Sequence, residues 1–316
     1  MSILKVDNLT LAYGSKKVVK NCSFEVERGE VLVILGSSGD GKTSLLKAIG
    51  GLMKRSKGAI TFEDKKVLDP SEQLIAGHDL IRLVNQDFDL SEHHTVEENI
   101  RLKILKYDKE YQAQRIKSLL RLMRLTAFKK HKSTQISGGQ QQRLSIARAL
   151  ADEPEMILLD EPFNQLDFQT KDKISKHLKR YLKKENIAAI MVTHNGLEAM
   201  EWADRILYIE KGKVKRIDTP REFFNNPKSE KEANFFGELN KLKIKDKVVF
   251  FRPSFFAEKK SKELSLKLKI EFISQEFLGW YSIYTFSNHG ERFRLFSTYD
   301  ISGLREIFVK PLAFND

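Results

Sequence analysis

Three short stretches carry residues whose types and order suit phosphate chemistry. The first is Gly36-Ser37-Ser38-Gly39-Asp40-Gly41-Lys42-Thr43, with Ser44 behind it. Glycines at this density let successive backbone N–H groups converge on an anion, and a helix opening at the Lys-Thr pair adds partial positive charge there. Lys42 would reach the β- and γ-phosphates of a nucleoside triphosphate, and the Thr43 hydroxyl would sit on Mg²⁺. The second stretch is Asp160-Glu161. Asp160 suits Mg²⁺, directly or through water, and Glu161 suits polarising an attacking water. The third is Ser137-Gly138-Gly139-Gln140, a serine N-cap opening a helix on two glycines. Such a start is a second anion-binding helix end. One nucleotide has little use for two of them from one fold, which hints at a site shared between copies. A chance glycine turn, or two acids in a turn, is the plain alternative. The surrounding elements decide between them.

Those elements read consistently. Residues 30–35 are an apolar, β-branched run, and residues 44–49 have helix composition, so the glycine stretch lies between a buried strand and a helix. Residues 156–159 are a second buried strand, delivering the two acids to its end, and Pro162 stops it. Residues 80–84 and 187–192 are further buried strands, ending at Gln86 and at Thr193-His194. Polar residues at such ends face the crevice where α/β sheets bind ligands. Gln86 could touch the metal or the attacking water, and His194 could bond a γ-phosphate or that water. A lone histidine is more often structural, but this one reaches the same edge as the acids. Tyr13, before the Gly14 turn, is either a base-stacking platform or an ordinary strand aromatic.

From Thr95 to Leu125 the apolar spacing is helical, with Val96, Ile100 and Ile104 four apart and Ile116, Leu119, Leu120 and Met123 three and four apart. His93 and His94 in the loop before it lack the Cys/His partners of a zinc site. The 316 residues suit about two domains, and 41% hydrophobic residues suffice for a sizeable core. The single cysteine, Cys22, excludes an internal disulfide framework and sits in a strand-like context that suggests inert packing. No apolar run approaches the roughly 20 residues of a membrane span, and the N-terminus lacks a secretory plan. A soluble, cytoplasmic chain is the expectation. The net charge of +12 is spread over helix faces as well as loops, which reads as a solvated surface more than a nucleic-acid footprint.

Taken in order and spacing, GSSGDGKT, Gln86, ISGGQQQR, ILLDEP, NQLD and His194 resemble the ATP-binding cassette (ABC) ATPases over roughly residues 3–240. The ISGGQ stretch is the specific element, since other phosphate-loop enzymes lack it. The resemblance implies an α/β phosphate-loop NTPase fold with a helical subdomain at about 88–150, ATP and Mg²⁺ as ligands, and head-to-tail pairing of two copies around two ATP molecules. Ser137 and Gly139 of one copy would cap the γ-phosphate held by Lys42 of the other. Tyr13 resembles the adenine-stacking aromatic, Asp167 the aspartate that links the two sites, and Gln86 and His194 the residues that sense the γ-phosphate. Two departures stand out. Asn195 follows the histidine where an acid is common, and Asn164-Gln165 stands where small residues are usual. Neither removes a catalytic group.

Within the family, residues 196–200 and 218–224 resemble the ATPase subunits of solute importers, and residues 235–240 resemble the segment that leads, in the polyamine, ferric-iron and sugar importer subgroup, into a small OB-like (TOBE) domain. The tail agrees. Leu264, Leu266, Leu268, Ile270 and Phe272 alternate with polar residues as one half-buried strand, and residues 287–290 turn into another. We therefore expect an ABC ATPase domain over 1–240 and one all-β OB-like domain over 241–316. The expected partners are a second copy, transmembrane permease subunits docking near residues 88–96, and an external solute-binding protein, at the inner face of the membrane and without nucleic acid. A soluble ABC ATPase of translation or DNA repair, or an ATP-binding regulator, are the alternatives.

Overall fold

The computed structural model describes residues 2–244 and 247–314, which fall into two units, Met1–Pro220 and Arg221–Asp316. The division comes ahead of the 240/241 boundary drawn from the sequence. The first unit opens with an antiparallel pair, β1 (Ser2–Tyr13) and β2 (Lys16–Glu27). β3 (Val31–Leu35) then leads through the glycine stretch into α1 (Lys42–Ile49). β4 (Lys57–Phe62) and β5 (Lys65–Lys66) form a hairpin. Its turn residues Glu63 and Asp64 both have positive φ (50° and 59°), as a tight two-residue hairpin turn requires. These strands make a sheet in the order β2-β1-β4-β5. Cys22 is fully buried there, and burial pushes its thiol up to about 12, so it packs and does not react.

The main sheet is built around β3. Its other strands are β6 (Ile81–Val84), β7 (Met156–Asp160), β8 (Ala188–Thr193), β9 (Arg205–Glu210) and β10 (Lys213–Asp218), in the order β10-β9-β3-β8-β7-β6. All neighbours are parallel except β9 and β10. Every residue of β3, β7 and β8 is buried, as expected of parallel strands covered on both faces. The register sets Leu35 beside Thr193, Asp160 beside Val192, and Val84 beside Leu159. One edge of the sheet therefore receives the glycine stretch, His194, the two acids and Gln86 together.

Between β6 and β7 lie α2 (Val96–Arg101), α3 (Lys109–Leu122) and α4 (Gly138–Leu150). The helical pattern from Thr95 to Leu125 is thus two helices, the first ending at Arg101 and the second capped by Asp108, which accepts from the Tyr111 N–H at 2.8 Å. Thr95 and Glu98 form a reciprocal capping box at the start of α2. Buried Asn99 donates to the carbonyls of Ser91, His94 and Thr95, fixing the loop ahead of it. α5 (Phe168–Lys184) and α6 (Gly196–Trp202) complete this unit.

The second unit carries α7 (Pro220–Asn225, its first residue closing the first unit) and α8 (Glu230–Phe235), followed among the described residues by strands alone. These are β11 (Asn240–Ile244), β12 (Lys247–Phe251), β13 (Phe256–Ala257), β14 (Leu266–Lys269), β15 (Glu271–Phe277), β16 (Ser282–Asn288), β17 (Glu291–Ser297) and β18 (Glu306–Val309). They form small sheets β11-β12, β13-β18-β14 and β15-β16-β17 around a core that includes Leu242, Phe251, Tyr284, Phe286, Leu295 and Val309. The alternating run from Leu264 to Phe272 is not one strand. β14 pairs with β18, whereas β15 pairs with β16, and the chain changes sheets at buried Ile270. Beyond that point β15 is an edge strand exposed throughout, so alternation no longer reports a buried face. The turn after β16 has His289 and Gly290 at positive φ, as the sequence suggested.

Candidate active site

The loop between β3 and α1 is shaped by its glycines and one aspartate. Gly41 has φ 90°, and a Cβ there would lie 2.4 Å from the Val18 carbonyl oxygen. Only glycine fits. At Gly36 a Cβ would come within 2.5 Å of the Ile209 carbonyl oxygen. Asp40 accepts from the Ser37 N–H through Oδ2 and from the Lys211 N–H through Oδ1, both at 2.7 Å. The loop is so closed on itself and pinned to the turn after β9. α1 has no side-chain cap, which leaves the amides at its N-terminus available to a phosphate.

Lys42 is 6% exposed and donates to the Ser37 carbonyl at 2.8 Å. Burial pushes its pKa down, opposed by Asp40, Glu161 and Asp160, whose charges pull it up. Asp160 is also buried. Burial pushes its carboxyl up, and a hydrogen bond from Thr43 works the other way. Oxygen donors from Thr43 and Asp160, with Gln86 at the rim, are the hard ligand set that Mg²⁺ prefers.

Glu161 sits just past the end of β7 at φ 48°, in the left-handed region. Its N–H donates to the Val192 carbonyl at 3.1 Å, and its own carbonyl accepts from Gln142 Nε2 at 3.2 Å. The carboxylate gathers partners from separate elements. His194 Nδ1 lies 2.9 Å from Oε1, Gln86 Nε2 donates to Oε2 at 3.3 Å, and Asn164 Nδ2 donates to the same oxygen. Glu161, Lys42, Thr43, Ser44, Asp160 and Gln86 line one cavity of about 380 Å³, with Ser38, Gly39 and Gly41. The acids, Gln86, His194 and the glycine loop therefore meet as the sequence led us to expect.

Other expected residues lie elsewhere. Ser137 caps α4 with Gln140 in a reciprocal box. Ser137 Oγ accepts from the Gln140 N–H at 3.3 Å, and Gln140 Oε1 accepts from the Ser137 N–H at 2.9 Å. Ser137, Gly138, Gly139 and Asp167 line a separate hollow of about 350 Å³ that shares no residue with the first. Asp167 caps α5 by accepting from the Thr170 N–H at 3.0 Å, and the bonds to Thr170 hold its carboxyl below the usual range. Tyr13, at the end of β1, is 58% exposed, with its hydroxyl 3.3 Å from Ser44 Oγ.

These features belong to a known group. A profile of the ABC transporter family matches residues 19–164. The spermidine/putrescine import ATP-binding protein PotA of Bacillus cereus is 38% identical over 253 residues, 79% of this chain and 76% of its own. The chain belongs to the ABC transporter ATP-binding proteins. The sulfate/thiosulfate import ATP-binding protein CysA of Pseudomonas syringae pv. tomato is 34% identical over 79% of this chain and 78% of its own. Among solved structures, the ATP-binding cassette MJ0796, a dimer in a post-hydrolysis state with ADP and Pi, is 36% identical with a TM-score of 0.63, covering 69% of this chain and 99% of that one. This ABC protein is an ATPase subunit of a transporter. Among its described residues, no helix is long and apolar enough to cross a membrane.

Sequence reasoning overlooked two residues of this ABC site. Gln142 bonds the Glu161 carbonyl, and its Oε1 also accepts from the Gln165 N–H at 3.3 Å. Its place among three consecutive glutamines concealed it. Asn164 was visible as a departure from the family pattern, but its contact with Glu161 was not.

Proposed function

We propose that this chain is the ATP-hydrolysing subunit of a solute importer, for ferric iron, a polyamine or a similar small solute, and that it works as a head-to-tail dimer at the inner face of the membrane. The observation that carries the reading is the separation of the two anion-binding helix ends. Lys42 and its loop line one cavity with Glu161, while Ser137 and Gly139 line another. One copy therefore holds a triphosphate without closing over it, and the second copy's Ser137-Gly138-Gly139 completes the site.

In the closed site, Lys42 and the loop amides stabilise charge building on the γ-phosphate, the term that dominates phosphoryl transfer. Glu161 takes a proton from the attacking water, and His194 and Gln86 orient the carboxylate and that water. Thr43 and Asp160, with Gln86, would hold Mg²⁺. Bound there, the ion neutralises charge on the β- and γ-phosphates. Tyr13 supplies an exposed ring at the rim for adenine, and Asp167 a link between the paired sites.

Permease subunits would dock beside residues 88–96, with an external solute-binding protein feeding them. The C-terminal strands are read as the OB-like accessory domain of the importer subgroup. The names of the PotA relatives make polyamines the first solutes to try.

The test is purification from detergent-solubilised membranes with ATPase activity followed. A multi-span partner that raises hydrolysis, and loss of that hydrolysis in Glu161→Gln, is the expected result. A chain that leaves the membrane fraction with ribosomes or nucleic acid, or a Glu161→Gln variant with full turnover, would overturn it.

A further inference from the structure

The residues between the catalytic acids and α5 read Asn164-Gln165-Leu166-Asp167. In this chain the first two positions hold long amides, and both residues are engaged, Asn164 through its side chain and Gln165 through its backbone N–H. Asn164 Nδ2 donates to Glu161 Oε2, the oxygen that also accepts from Gln86 Nε2. The Gln165 N–H donates to Gln142 Oε1 at 3.3 Å, and Gln142 Nε2 returns to the Glu161 carbonyl at 3.2 Å. Glu161, Asn164, Gln165 and Gln142 thus form a closed ring of bonds, with the Asn164 N–H to the Glu161 carbonyl at 3.4 Å bracing its short side. Gln142 is 3% exposed and lies within α4, so the ring has one rigid, buried member.

Glu161 needs such support. Its backbone is left-handed at φ 48°, an orientation that a non-glycine residue holds only when its surroundings fix it. Its three carboxylate partners, Gln86, His194 and Asn164, are all exposed side chains, and they differ in what anchors them. Asn164 lies three residues along the same turn, anchored through its neighbour to α4. A primary amide has no charge to lose and donates in a fixed plane, so it aims a carboxylate without competing for the proton.

We propose that Asn164 is a positioning residue for hydrolysis. It aims the Glu161 carboxylate at the attacking water and ties that aim, through Gln165 and Gln142, to the helix whose N-terminus serves the other ATP of the dimer. This inference rests on the reading of Glu161 as the residue that activates water. Among the described residues the hydrogen bonds of Asn164 go to Glu161 and not to the nucleotide loop or the metal donors, so it acts on turnover and not on ATP affinity.

The experiment uses the full chain, with kcat and KM for ATP measured alongside ATP-driven dimerisation by light scattering. Asn164→Ala and the isosteric Asn164→Asp, which lacks the donor, are each expected to lower kcat about tenfold or more, as misaimed catalytic groups do. KM and ATP-driven dimerisation are expected to stay unchanged. In a Glu161→Gln background, adding Asn164→Ala should cost nothing further, because the two act as a unit. Unchanged or raised kcat in Asn164→Ala, or a rise in KM with kcat intact, would overturn the proposal. A Glu161→Gln chain with full turnover would instead bring down the reading on which it rests, whichever way Asn164→Ala behaves.

Discussion

The two anion-facing helix ends, at α1 and at α4, are built on opposite plans. α1 starts behind Gly41 with no side-chain cap, its lysine buried and its loop tied inward by Asp40. Among the described residues no side chain caps its first amides, and the loop's backbone path leaves no room for another residue type at Gly41. α4 starts behind Ser137, whose hydroxyl and the Gln140 side chain already satisfy amides at that end, and it lines a hollow of its own. The first end is preorganised for a ligand on its own. The second is partly capped, with the Ser137 and Gln140 amides already satisfied and those of Gly138 and Gly139 left to a ligand that another surface brings. A site that binds alone and a site that closes in company are thus distinguished by capping chemistry, before any nucleotide is considered.

Substitutions at the two glycines should break this contrast most sharply. Gly41→Ala forces a Cβ against backbone at a positive φ, where nothing flexible yields. ATP binding by the single chain should fall at least a hundredfold, beyond any effect on folding, which circular dichroism would check. At Gly138 a Cβ meets the tip of the Gln165 side chain, 2.3 Å away, and that side chain can move. Gly138→Ala should leave fluorescent-ATP binding to the single chain intact while turnover falls at least tenfold. A Gly138→Ala chain that binds ATP as poorly as Gly41→Ala would erase the distinction between the two ends. Ser137→Ala should have a smaller effect on stability, about 1 kcal/mol from the lost cap, read by chemical denaturation, with single-chain ATP binding unchanged.

Much of the α1 end was legible in the sequence because its chemistry is local. A glycine loop, a lysine and a buried strand are neighbours along the chain, and the strand-end acids, Gln86 and His194 follow once the strands are read as parallel. The separation of Ser137 from Lys42 was also foreseeable, since one fold has little use for two such ends on one phosphate. What could not be read was contact between residues distant in sequence but joined by side chains alone. The bonds from Gln142 to Glu161 and to Gln165 join α4 to the turn after β7 across about twenty residues of sequence, and no periodicity records that. The same limit applies in the C-terminal unit. There the alternation of Leu264 to Phe272 is real, yet the change of sheet at Ile270 depends on which strand, β18 or β16, is there to pair.

The smallest expected effect separates Asp167's two possible duties, capping α5 and serving the paired sites. Its carboxyl lies below the usual carboxylate range, chiefly because it accepts from the Thr170 N–H and side chain, so the ionised form is the one that stabilises the fold. The sign follows from linkage. A depressed folded pKa contributes stability above the unfolded value of about 3.9, and that contribution is lost as pH falls through the lower folded value. Asp167→Ala should therefore lower the melting temperature slightly at pH 7, and the gap from the parent chain should narrow as the pH is taken below about 4. A gap that stays constant over that range would mean that the carboxylate's charge contributes nothing to the cap. Turnover provides the second axis. If Asp167 serves only its own helix, Asp167→Asn, which retains an N-cap acceptor, should hydrolyse ATP like the parent chain. If it also links the paired sites, Asp167→Asn should keep its stability and lose part of its rate.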